Sequence, residues 1–467
     1  MEKNFYAALV SALADIRGLS LFSCGSAPLL RDFRLLAEAF LELSGDTGQK
    51  PETLLKGVER WGAFLRTLAE TGESFSEGIA SMTVFDDNPF TRSAEDRDFS
   101  QIPAFLVAVA ESDLRRLKRI AGFDLPKLGL YLAERLRDAE LSGPATEAAE
   151  EVRALKSAGN CSCSSPKDFF SLENFSLDKQ EKISEKKEEK LRALAAYLRV
   201  HGAGELGRHS VFRWVNGEIK PVRNPDGVRL ADLAGYAEQR SLIAANTLRF
   251  AEGKPANNLF LYGDRGTGKS ATVKAVCAEY SDRGLKLLEL AKRDAVHLPR
   301  ILEELSERSL RFIIFIDDLS FETADDSFTA LKMALEGGVS AKPANAAVYI
   351  TSNRRHLVKE RVADRPNAGA SADGDMRTFD SMQEQFSLAD RFGLTVLFTA
   401  PNQEEFLSIA EYVAVRRGLF RDPSNQAERT RFRENALKWE RWFNGRSPRT
   451  AVQYADWVAG GSGFPWE

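Results

Sequence analysis

A glycine-rich stretch that ends in lysine and serine constrains the fold of this chain more than any other feature. It runs from Gly263 to Ser270 as GDRGTGKS and matches the pattern G-x-x-x-x-G-K-[ST] at every position. An apolar run (residues 259–262) precedes it and a helical pattern follows, which is the context that a phosphate-binding loop requires. The alternative is a turn that carries a lysine by accident. We therefore predict a strand, a phosphate-binding loop and a helix in succession.

The chemistry of such a loop follows from its residue types. Glycines allow the backbone to curl so that several N–H groups face one anion, and the next helix adds its positive end. Lys269 is expected to contact the β- and γ-phosphates of ATP, and the Ser270 hydroxyl to bind Mg²⁺. We expect the nucleotide to contact the whole loop and the residue after it: Gly263, Asp264, Arg265, Gly266, Thr267, Gly268, Lys269, Ser270 and Ala271.

A pair of carboxylates follows a second apolar run. In RFIIFIDDLSFE (residues 311–322), four apolar residues lead into Asp317 and Asp318. A carboxylate at the end of a buried strand can hold Mg²⁺ directly or through water, and Asp317 is the candidate for this role. Asp318 would then orient or deprotonate the attacking water. The alternative is an acidic pair in a solvated turn.

A polar amide ends a third apolar run. The segment AAVYITSNRRHL passes from buried-strand character into Thr351, Ser352 and Asn353. Beside the strand of the phosphate loop, the Asn353 amide can hydrogen-bond the γ-phosphate or the attacking water. An ordinary asparagine at the start of a loop is the alternative.

The C-terminal half alternates short apolar runs with helical patterns. Strands that are buried on both faces of a parallel sheet read as continuous apolar runs, and their alternation with helices indicates βαβ units. The fold class that we predict is α/β, a P-loop NTPase with a doubly wound parallel sheet and a small helical lid, preceded by an all-α N-terminal domain. The expected strands are residues 259–262, 285–290, 312–316, 346–350 and 395–399.

The N-terminal part of the chain has helical periodicity and carries no cluster of chemically active residues. Asp113 is expected to cap the start of a helix that Gly122 ends. Two apolar stripes recur at spacings of three and four, as on one face of a helix. They consist of Leu29, Phe33, Leu36, Phe40 and Leu43, and of Leu54, Val58, Trp61, Leu65 and Leu68.

Length and composition set the domain organisation. A chain of 467 residues is too long for one ordinary core. We predict a helical interaction or regulatory domain (1–140), a linker with a charged helix (141–205), an α/β nucleotide-binding domain (206–402) and a helical lid (403–467). A net charge of −4 creates no overall basic field for nucleic acid, and four cysteines make no disulfide framework. The N-terminus is a poor signal peptide, and no apolar run approaches the ~20 residues of a membrane helix, so we expect a cytoplasmic protein with no membrane partner.

The three motifs, in this order, resemble those of the AAA+ ATPases. The stretches DLAGYAEQRSLIAANTLRFAEGKPANNLFLYGDRGTGKS, FIDDLSFE, TSNRRHL and SLADRFGL resemble one bacterial AAA+ branch, a family classed as a domain of unknown function. The resemblance covers about residues 205–460 and leaves the N-terminal helices without a counterpart.

The resemblance implies further site residues. Residues 233–236 are similar to the stretch that lies over the adenine, with Gly235 and Tyr236 nearest the base. SLADRFGL resembles the segment that carries an arginine finger, so Arg391 would reach the γ-phosphate bound by a neighbouring subunit. Arg354 and Arg355 compete for the same role. GRSPRTAVQYADW resembles the lid helix whose arginine senses nucleotide, which corresponds to Arg449, with Arg446 as the alternative.

The chain departs from the commonest AAA+ pattern at its acidic pair, which is Asp-Asp where that pattern has Asp-Glu. Aspartate is one methylene shorter, so its reach to the water differs. Glu322, four residues after Asp318, could supply a longer arm, and both remain candidates for the catalytic base. Hydrolysis is therefore expected to be slow.

Three functions fit these observations. The first is an ATPase that binds and hydrolyses ATP·Mg at an inter-subunit site of a ring-shaped homo-oligomer, with a hexamer expected, and that remodels or loads a protein or nucleic-acid partner. The second is an assembly switch that binds ATP and scarcely turns it over. The third is a P-loop kinase acting on a small molecule, which the lid segment with Arg449 disfavours.

Overall fold

The structure is a computed structural model, and it describes residues 3–22, 27–44, 50–157, 183–319, 326–336, 343–353, 391–420, 422, 424–443 and 445–461. The chain divides into two compact units, Met1–Arg208 and His209–Glu467. No helix in this described part of the chain is long and apolar enough to span a membrane.

The first unit is built from helices, as the periodicity predicts. They are α1 (Lys3–Arg17), α2 (Pro28–Leu43), α3 (Pro51–Thr71), α4 (Phe75–Phe85), α5 (Pro89–Asp96), α6 (Ala104–Ala121), α7 (Leu125–Asp138), α8 (Ser142–Ser157), α9 (Ile183–His201) and α10 (Gly204–Arg208). The whole apolar stripe predicted on α2 is buried. Its Phe33 lies at the centre of an aromatic cluster, with ring centroids 4.8 Å from Phe75, 5.4 Å from Phe123 and 5.9 Å from Phe64.

The stripe predicted on α3 is wrong at one position. Val58 is exposed, and the buried line of this helix runs instead through Gly57, Trp61 and Phe64. The reason is a close helix contact, because a Cβ on Gly57 would lie 2.6 Å from Leu43 Cδ1 of α2. The helix therefore turns a glycine, and not the valine, towards its neighbour.

The segment predicted as a linker contains a packed helix. From Ser142 to Ser157 the chain forms α8, which buries Ala145, Ala148 and Val152 in the core of the first unit. Alanine and glutamate, which are frequent in this segment, are strong helix formers. Residues 158–182, the rest of that predicted linker, lie outside the described part of the chain.

Asp113 does not cap a helix, although Gly122 follows the last residue of α6 as predicted. Asp113 lies in the middle of α6 and is fully buried. Its Oδ2 accepts hydrogen bonds from the backbone N–H groups of Ser20 (2.8 Å), Leu21 (2.7 Å) and Phe22 (3.3 Å). Arg116 donates to its Oδ1 at 3.0 Å. The carboxylate thus accepts hydrogen bonds from the backbone N–H groups of the turn after α1. No local sequence pattern reveals this contact, because the two segments are far apart in the chain.

The second unit has a seven-stranded sheet with the order β2-β1-β4-β5-β6-β3-β7. Its strands are β1 (Val211–Val215), β2 (Glu218–Pro221), β3 (Leu259–Gly263), β4 (Leu285–Glu289), β5 (Arg311–Ile316), β6 (Ala346–Ser352) and β7 (Leu394–Phe398). All neighbours are parallel except the β1–β2 hairpin, which turns at Asn216 and Gly217, both with positive φ. The five strands predicted in the α/β region are confirmed.

Helices surround the sheet and form the lid of the second unit. The first group is α11 (Ala237–Ala251), α12 (Lys269–Glu279), α13 (Leu298–Ser306) and α14 (Asp326–Glu336), and the lid is α15 (Gln403–Arg416), α16 (Gln426–Trp442) and α17 (Pro448–Ala459). The lid has its own apolar cluster around Phe406, Phe432 and Tyr454. Because β3, β5 and β6 are parallel neighbours, their carboxyl ends meet at one edge of the sheet.

Replacement of Asp113 by alanine should strongly destabilise the first unit. The change leaves three backbone N–H groups and the Arg116 guanidinium without their acceptor, which costs about 2–4 kcal/mol of unfolding free energy. Pulse proteolysis of the full chain across a urea series, read from the fragment of the first unit, measures this loss. Asp124→Ala, on an exposed carboxylate, is the matched control and should change the midpoint little. Equal midpoints for the two variants would contradict the anchoring role.

Candidate functional site

The predicted phosphate loop leaves the end of β3 and enters α12. Gly263 has φ 131°, and a Cβ there would lie 2.0 Å from the carbonyl oxygen of Phe398 on β7. Gly266 has φ 75°, and a Cβ there would lie 2.9 Å from Ser447 Oγ. Any larger residue would therefore both strain the backbone and collide with a neighbouring segment. Gly268 directly precedes the first turn of α12, so the loop closes around the positive end of that helix.

Lys269 is the first residue of α12, and its side chain turns back over the loop. Its Nζ donates to the carbonyl oxygens of Gly263 (3.1 Å) and Asp264 (2.8 Å) and to Asn353 Oδ1 (3.0 Å). Only 5% of the residue is exposed. Burial lowers the pKa of Lys269 to about 8, and the nearby charge of Arg449 acts in the same direction. Nearby carboxylates oppose this shift without cancelling it, so a cation is held here at a cost.

Asp317 follows β5 and joins the ends of three segments. Its Oδ1 accepts hydrogen bonds from Ser270 Oγ at 2.5 Å and from Thr351 Oγ1 at 2.5 Å. The sheet register explains the second contact, because Ile316 pairs with Ile350 and the next residues on the two strands are Asp317 and Thr351. Ser270 and Asp317, the two residues predicted to hold a metal, are thus in direct contact. Thr351 was not among the predicted site residues, although it lies in the same TSN tip as Asn353.

Asn353 connects the lysine to the second carboxylate. Its Oδ1 accepts from Lys269, and its Nδ2 donates to Asp318 Oδ1 at 2.5 Å. Asp318 has φ 50°, a left-handed conformation that is uncommon for a residue with a side chain. Its backbone N–H donates to Thr351 Oγ1 at 2.9 Å, which holds this conformation in place. The side chains that follow three different strands therefore form one hydrogen-bonded group.

These residues line a cleft of about 630 Å³. The loop from Arg265 to Ala271, Asp317, Asp318, Asn353 and the lid residue Arg449 all contribute to its wall. Leu233 and Ala234, which belong to the predicted stretch 233–236 (the strap before α11), also line the cleft. The wall residues that were not predicted are Asp232 before the strap, Arg240 on α11, Thr351 on β6, and Ile409, Val413, Pro448, Val452 and Gln453 of the lid. The local sequence does not mark most of these, because only the fold brings the lid against the loop.

Arg449, and not Arg446, is the lid arginine at this cleft. The backbone N–H of Arg449 donates to the carbonyl oxygen of Gly266 at 3.2 Å. Arg446 instead donates to Glu440 Oε1 at 2.7 Å within the lid. The structure therefore puts the predicted residue, rather than its alternative, against the phosphate loop.

Four residues predicted to contact nucleotide lie beside the cleft without lining it. Gly263 and Asp264 present their carbonyl oxygens to Lys269. Gly235 and Tyr236 follow the strap residues that do line the cleft, and Tyr236 donates its hydroxyl to the carbonyl oxygen of Thr399 at 2.7 Å. Burial, with nearby carboxylates adding to it, raises the pKa of Tyr236 to about 12. Tyr236 therefore anchors the strap to the end of β7.

Arg391 lies far from this cleft along the sheet. It precedes β7, which runs parallel to β3. Arg391 therefore lies at the amino ends of these strands, whereas the phosphate loop lies at their carboxyl ends. Among the described residues that line the cleft, Arg391 does not occur. A role at this chain's own cleft is therefore excluded by the topology, whereas the predicted role at a neighbour's site is untouched. Glu322, Arg354 and Arg355 lie outside the described residues.

The parallel sheet, the phosphate loop between β3 and α12, and the helical lid define a P-loop nucleotide-binding fold of the AAA+ class. Residues 207–462 match the family model described as "Protein of unknown function (DUF815)". This match covers more than half of the chain, which therefore belongs to that family. No curated protein matches the chain.

Two solved structures match about half of the chain at low similarity. The RuvB Holliday junction branch migration motor of Thermotoga maritima is 15% identical with a TM-score of 0.32, over 50% of this chain and 64% of its own. PCH-2 of C. elegans is 14% identical with a TM-score of 0.31, over 49% of this chain and 70% of its own. The chain thus spans less than two thirds of the RuvB chain. Values this low carry no residue role from either protein.

The buried charge of Lys269 should be visible in the pH dependence of stability. The folded state lowers the pKa of this lysine from its ordinary value of 10.5 to about 8. Between these values the unfolded state binds more protons, so wild-type stability gains as pH rises through about 8. Lys269→Met lacks this gain. We expect the variant's melting temperature, relative to wild type, to fall by about 2–4 °C between pH 7 and 9.5.

Thermal scans of both proteins across that pH range measure the difference. Lys254→Met is the matched control, since Lys254 is exposed and its replacement should give a difference that does not change with pH. A constant difference for Lys269→Met would contradict the destabilising charge.

Proposed function

We propose that this cleft binds ATP with Mg²⁺ and hydrolyses it. The observation that carries the proposal is the single hydrogen-bonded group formed by Lys269, Asn353, Asp318, Asp317 and Ser270. It joins the phosphate loop to the carboxylates that follow β5. Phosphoryl transfer depends mainly on positioning and charge stabilisation, and this group provides both without a covalent intermediate.

Lys269 is arranged to exchange partners when a nucleotide enters. Its three present acceptors are two backbone carbonyl oxygens and one amide oxygen, all uncharged. Phosphate oxygens carry negative charge and form stronger hydrogen bonds with an ammonium group. Arrival of a triphosphate therefore stabilises the lysine cation whose pKa burial has lowered. Binding therefore relieves part of the cost of keeping this charge buried, which favours the nucleotide-bound state.

Ser270 and Asp317 fit a Mg²⁺ ion. Both offer oxygen atoms, and they already lie 2.5 Å apart. Mg²⁺ commonly binds proteins through one or two carboxylates plus substrate phosphates, and Asp317 supplies one such carboxylate here. Bound there, the ion would neutralise phosphate charge. Thr351 keeps the Asp317 carboxylate in position.

Asp318 and Asn353 are the candidates for handling the attacking water. Asp318 is exposed, whereas Asp317 is half-buried, so of the two carboxylates Asp318 is the one open to solvent. We propose that it orients or deprotonates the water while Asn353 holds either the water or the γ-phosphate. Glu322 remains the alternative base.

Completion of the site requires a second copy of the chain. Arg449 of the lid lies at the chain's own cleft. Arg391 lies at the other end of the parallel strands, where they begin. We propose a ring, with six copies expected, in which Arg391 of one copy reaches the γ-phosphate of the next. The ring would remodel or load a protein or nucleic-acid partner that the N-terminal helices select.

A specific contact favours a second function, an ATP-dependent assembly switch with little turnover. Asn353 Nδ2 donates to Asp318 at 2.5 Å and engages the carboxylate that should activate the water. If this contact persists when ATP is bound, the site would hold nucleotide without spending it. A small-molecule kinase has no comparable support.

Mixing two inactive variants tests the hydrolytic, inter-subunit site. Arg391→Ala should lose about 10³–10⁵ in turnover while still binding ATP, since a finger in trans is worth that much in related nucleotidases. Asp318→Asn should also be inactive but keeps its Arg391. In an equimolar mixture, one interface in four pairs an intact site with an intact arginine, so about a quarter of the wild-type ATPase rate should return.

The control is each variant mixed with Lys269→Ala/Arg391→Ala, which offers neither an intact site nor an intact arginine and should restore nothing. Recovery absent from the main mixture, with each variant still binding ATP, would remove Arg391 from the proposal. If the wild-type protein binds ATP but consumes none over hours, hydrolysis is excluded and the assembly switch is the function that remains.

The identity of the base is open to a second comparison. Asp318→Asn should lower turnover by about 10²–10⁴-fold, because general-base catalysis contributes that much. Glu322→Gln should leave it within a few fold. Steady-state ATPase rates and ATP affinity are measured on both. The reverse order of effects would transfer the role to Glu322, and mild, equal effects would contradict both assignments.

A further inference from the structure

A short strap, residues 233–236, precedes α11 and contributes to the wall of the cleft. Leu233 and Ala234 of the strap line the cleft, and the side chains of Ile409 and Val413 from α15 line it as well. These four residues form an apolar part of the cleft wall, which we call the slot. A flat, largely apolar ring such as a nucleobase fits such a wall.

The strap follows a backbone path that needs support. Gly235 and Tyr236 both have left-handed conformations, with φ 72° and φ 53°. Glycine adopts such a conformation freely, but the conformation costs Tyr236 roughly 1–2 kcal/mol, so the strap keeps this path only with contacts that fix it. At Gly235 a Cβ would lie 2.9 Å from Ile409 Cδ1, so strap and lid are also closely packed.

Arg240, on the first turns of α11, supplies that support. Its Nη1 donates to the carbonyl oxygen of Leu233 at 2.5 Å, and its Nη2 donates to that of Ala234 at 2.7 Å. The planar guanidinium thus holds two consecutive peptide groups in one orientation, which a single ammonium could not do. Both peptides belong to the residues that line the slot.

The arginine is kept at this position at a cost. Only 8% of it is exposed, and its Nε is buried with no hydrogen-bond partner among the described residues. Burial lowers the pKa of Arg240 to about 10. No carboxylate is paired with it in the hydrogen bonds that the described residues make. An apolar side chain of similar length would avoid these penalties, since replacing a buried charge by a packed hydrophobic residue is often neutral or stabilising.

We propose that Arg240 is a positioning residue for the base: it holds the strap of residues 233–236 in its binding conformation before the nucleotide arrives. This inference rests on the proposed function. A preformed strap spares the nucleotide the cost of ordering it, so Arg240 should contribute to affinity for the base and not to the phosphates or to turnover.

Arg240→Met tests the proposal with two ligands on the full-length protein, Mg·ATP and Mg·tripolyphosphate. Tripolyphosphate has the phosphates and no base. We expect the Kd for ATP to rise about tenfold while the Kd for tripolyphosphate stays unchanged. In turnover, KM for ATP should rise similarly with kcat unchanged. The melting temperature should stay level or rise, whereas a residue that only stabilises the fold would lower it.

Two further variants complete the design. Arg249→Met removes an exposed arginine from the same helix and should change neither ligand. Arg240→Lys keeps one charge without the fork and should recover only part of the ATP affinity. If Arg240→Met does not fold, the ratio of ATP to tripolyphosphate affinity in Arg240→Lys decides: a lowered ratio supports the proposal and a wild-type ratio overturns it.

The outcomes separate this inference from the proposed function. Equal weakening of both ligands, or unchanged ATP affinity, in Arg240→Met would overturn the role of Arg240 alone, with ATP binding by the wild type intact. Wild-type protein that binds neither ligand would overturn the proposed function itself and the inference with it.

Discussion

One carboxylate oxygen determines how the parts of the cleft meet. Asp317 Oδ1 accepts from Ser270 at the start of α12, from Thr351 at the end of β6 and from the backbone N–H of Asp318 at 3.1 Å. Ser270 and Thr351 come from distant points of the chain, and the parallel pairing of β6 with both β5 and β3 brings them to Asp317. With these contacts in place, Asn353 reaches both Lys269 and Asp318. Without them, among the described residues only the contacts of Asn353 with Lys269 and Asp318 would connect the loop to the carboxylates.

The cleft also connects the sheet to the lid. On the lid side, Tyr412 donates its hydroxyl to the carbonyl oxygen of Ala231 at 2.6 Å, and Arg416 is paired with Asp232. On the sheet side, Arg240 holds Leu233 and Ala234, the first two residues of the strap. A nucleotide in this cleft would therefore contact elements whose mutual position depends on the strap. That arrangement offers a physical route from nucleotide state to lid position, and a motor or a switch could use it.

The sequence was sufficient for features that local chemistry or periodicity determines. The phosphate loop, the five buried strands and the Asn216–Gly217 turn could be predicted because each has a short-range pattern. The prediction for Asp113 is wrong because the backbone N–H groups that donate to its carboxylate lie about ninety residues away, at Ser20 to Phe22. Val58 was misjudged because a glycine at the helix contact rotates the buried face. Arg240 gave no signal, since an arginine early in a helix is ordinary until the fold shows which carbonyls it meets.

The central claim is that this cleft binds a magnesium nucleotide through Lys269. The most direct measurement is a calorimetric titration of Mg·ATP into wild-type protein and into Lys269→Ala. We expect saturable binding of one nucleotide per chain by the wild type and an affinity at least about 100-fold lower in the variant, since a buried charge-assisted contact to phosphate disappears. Equal affinities for the two proteins, or no saturable binding by the wild type, would contradict it.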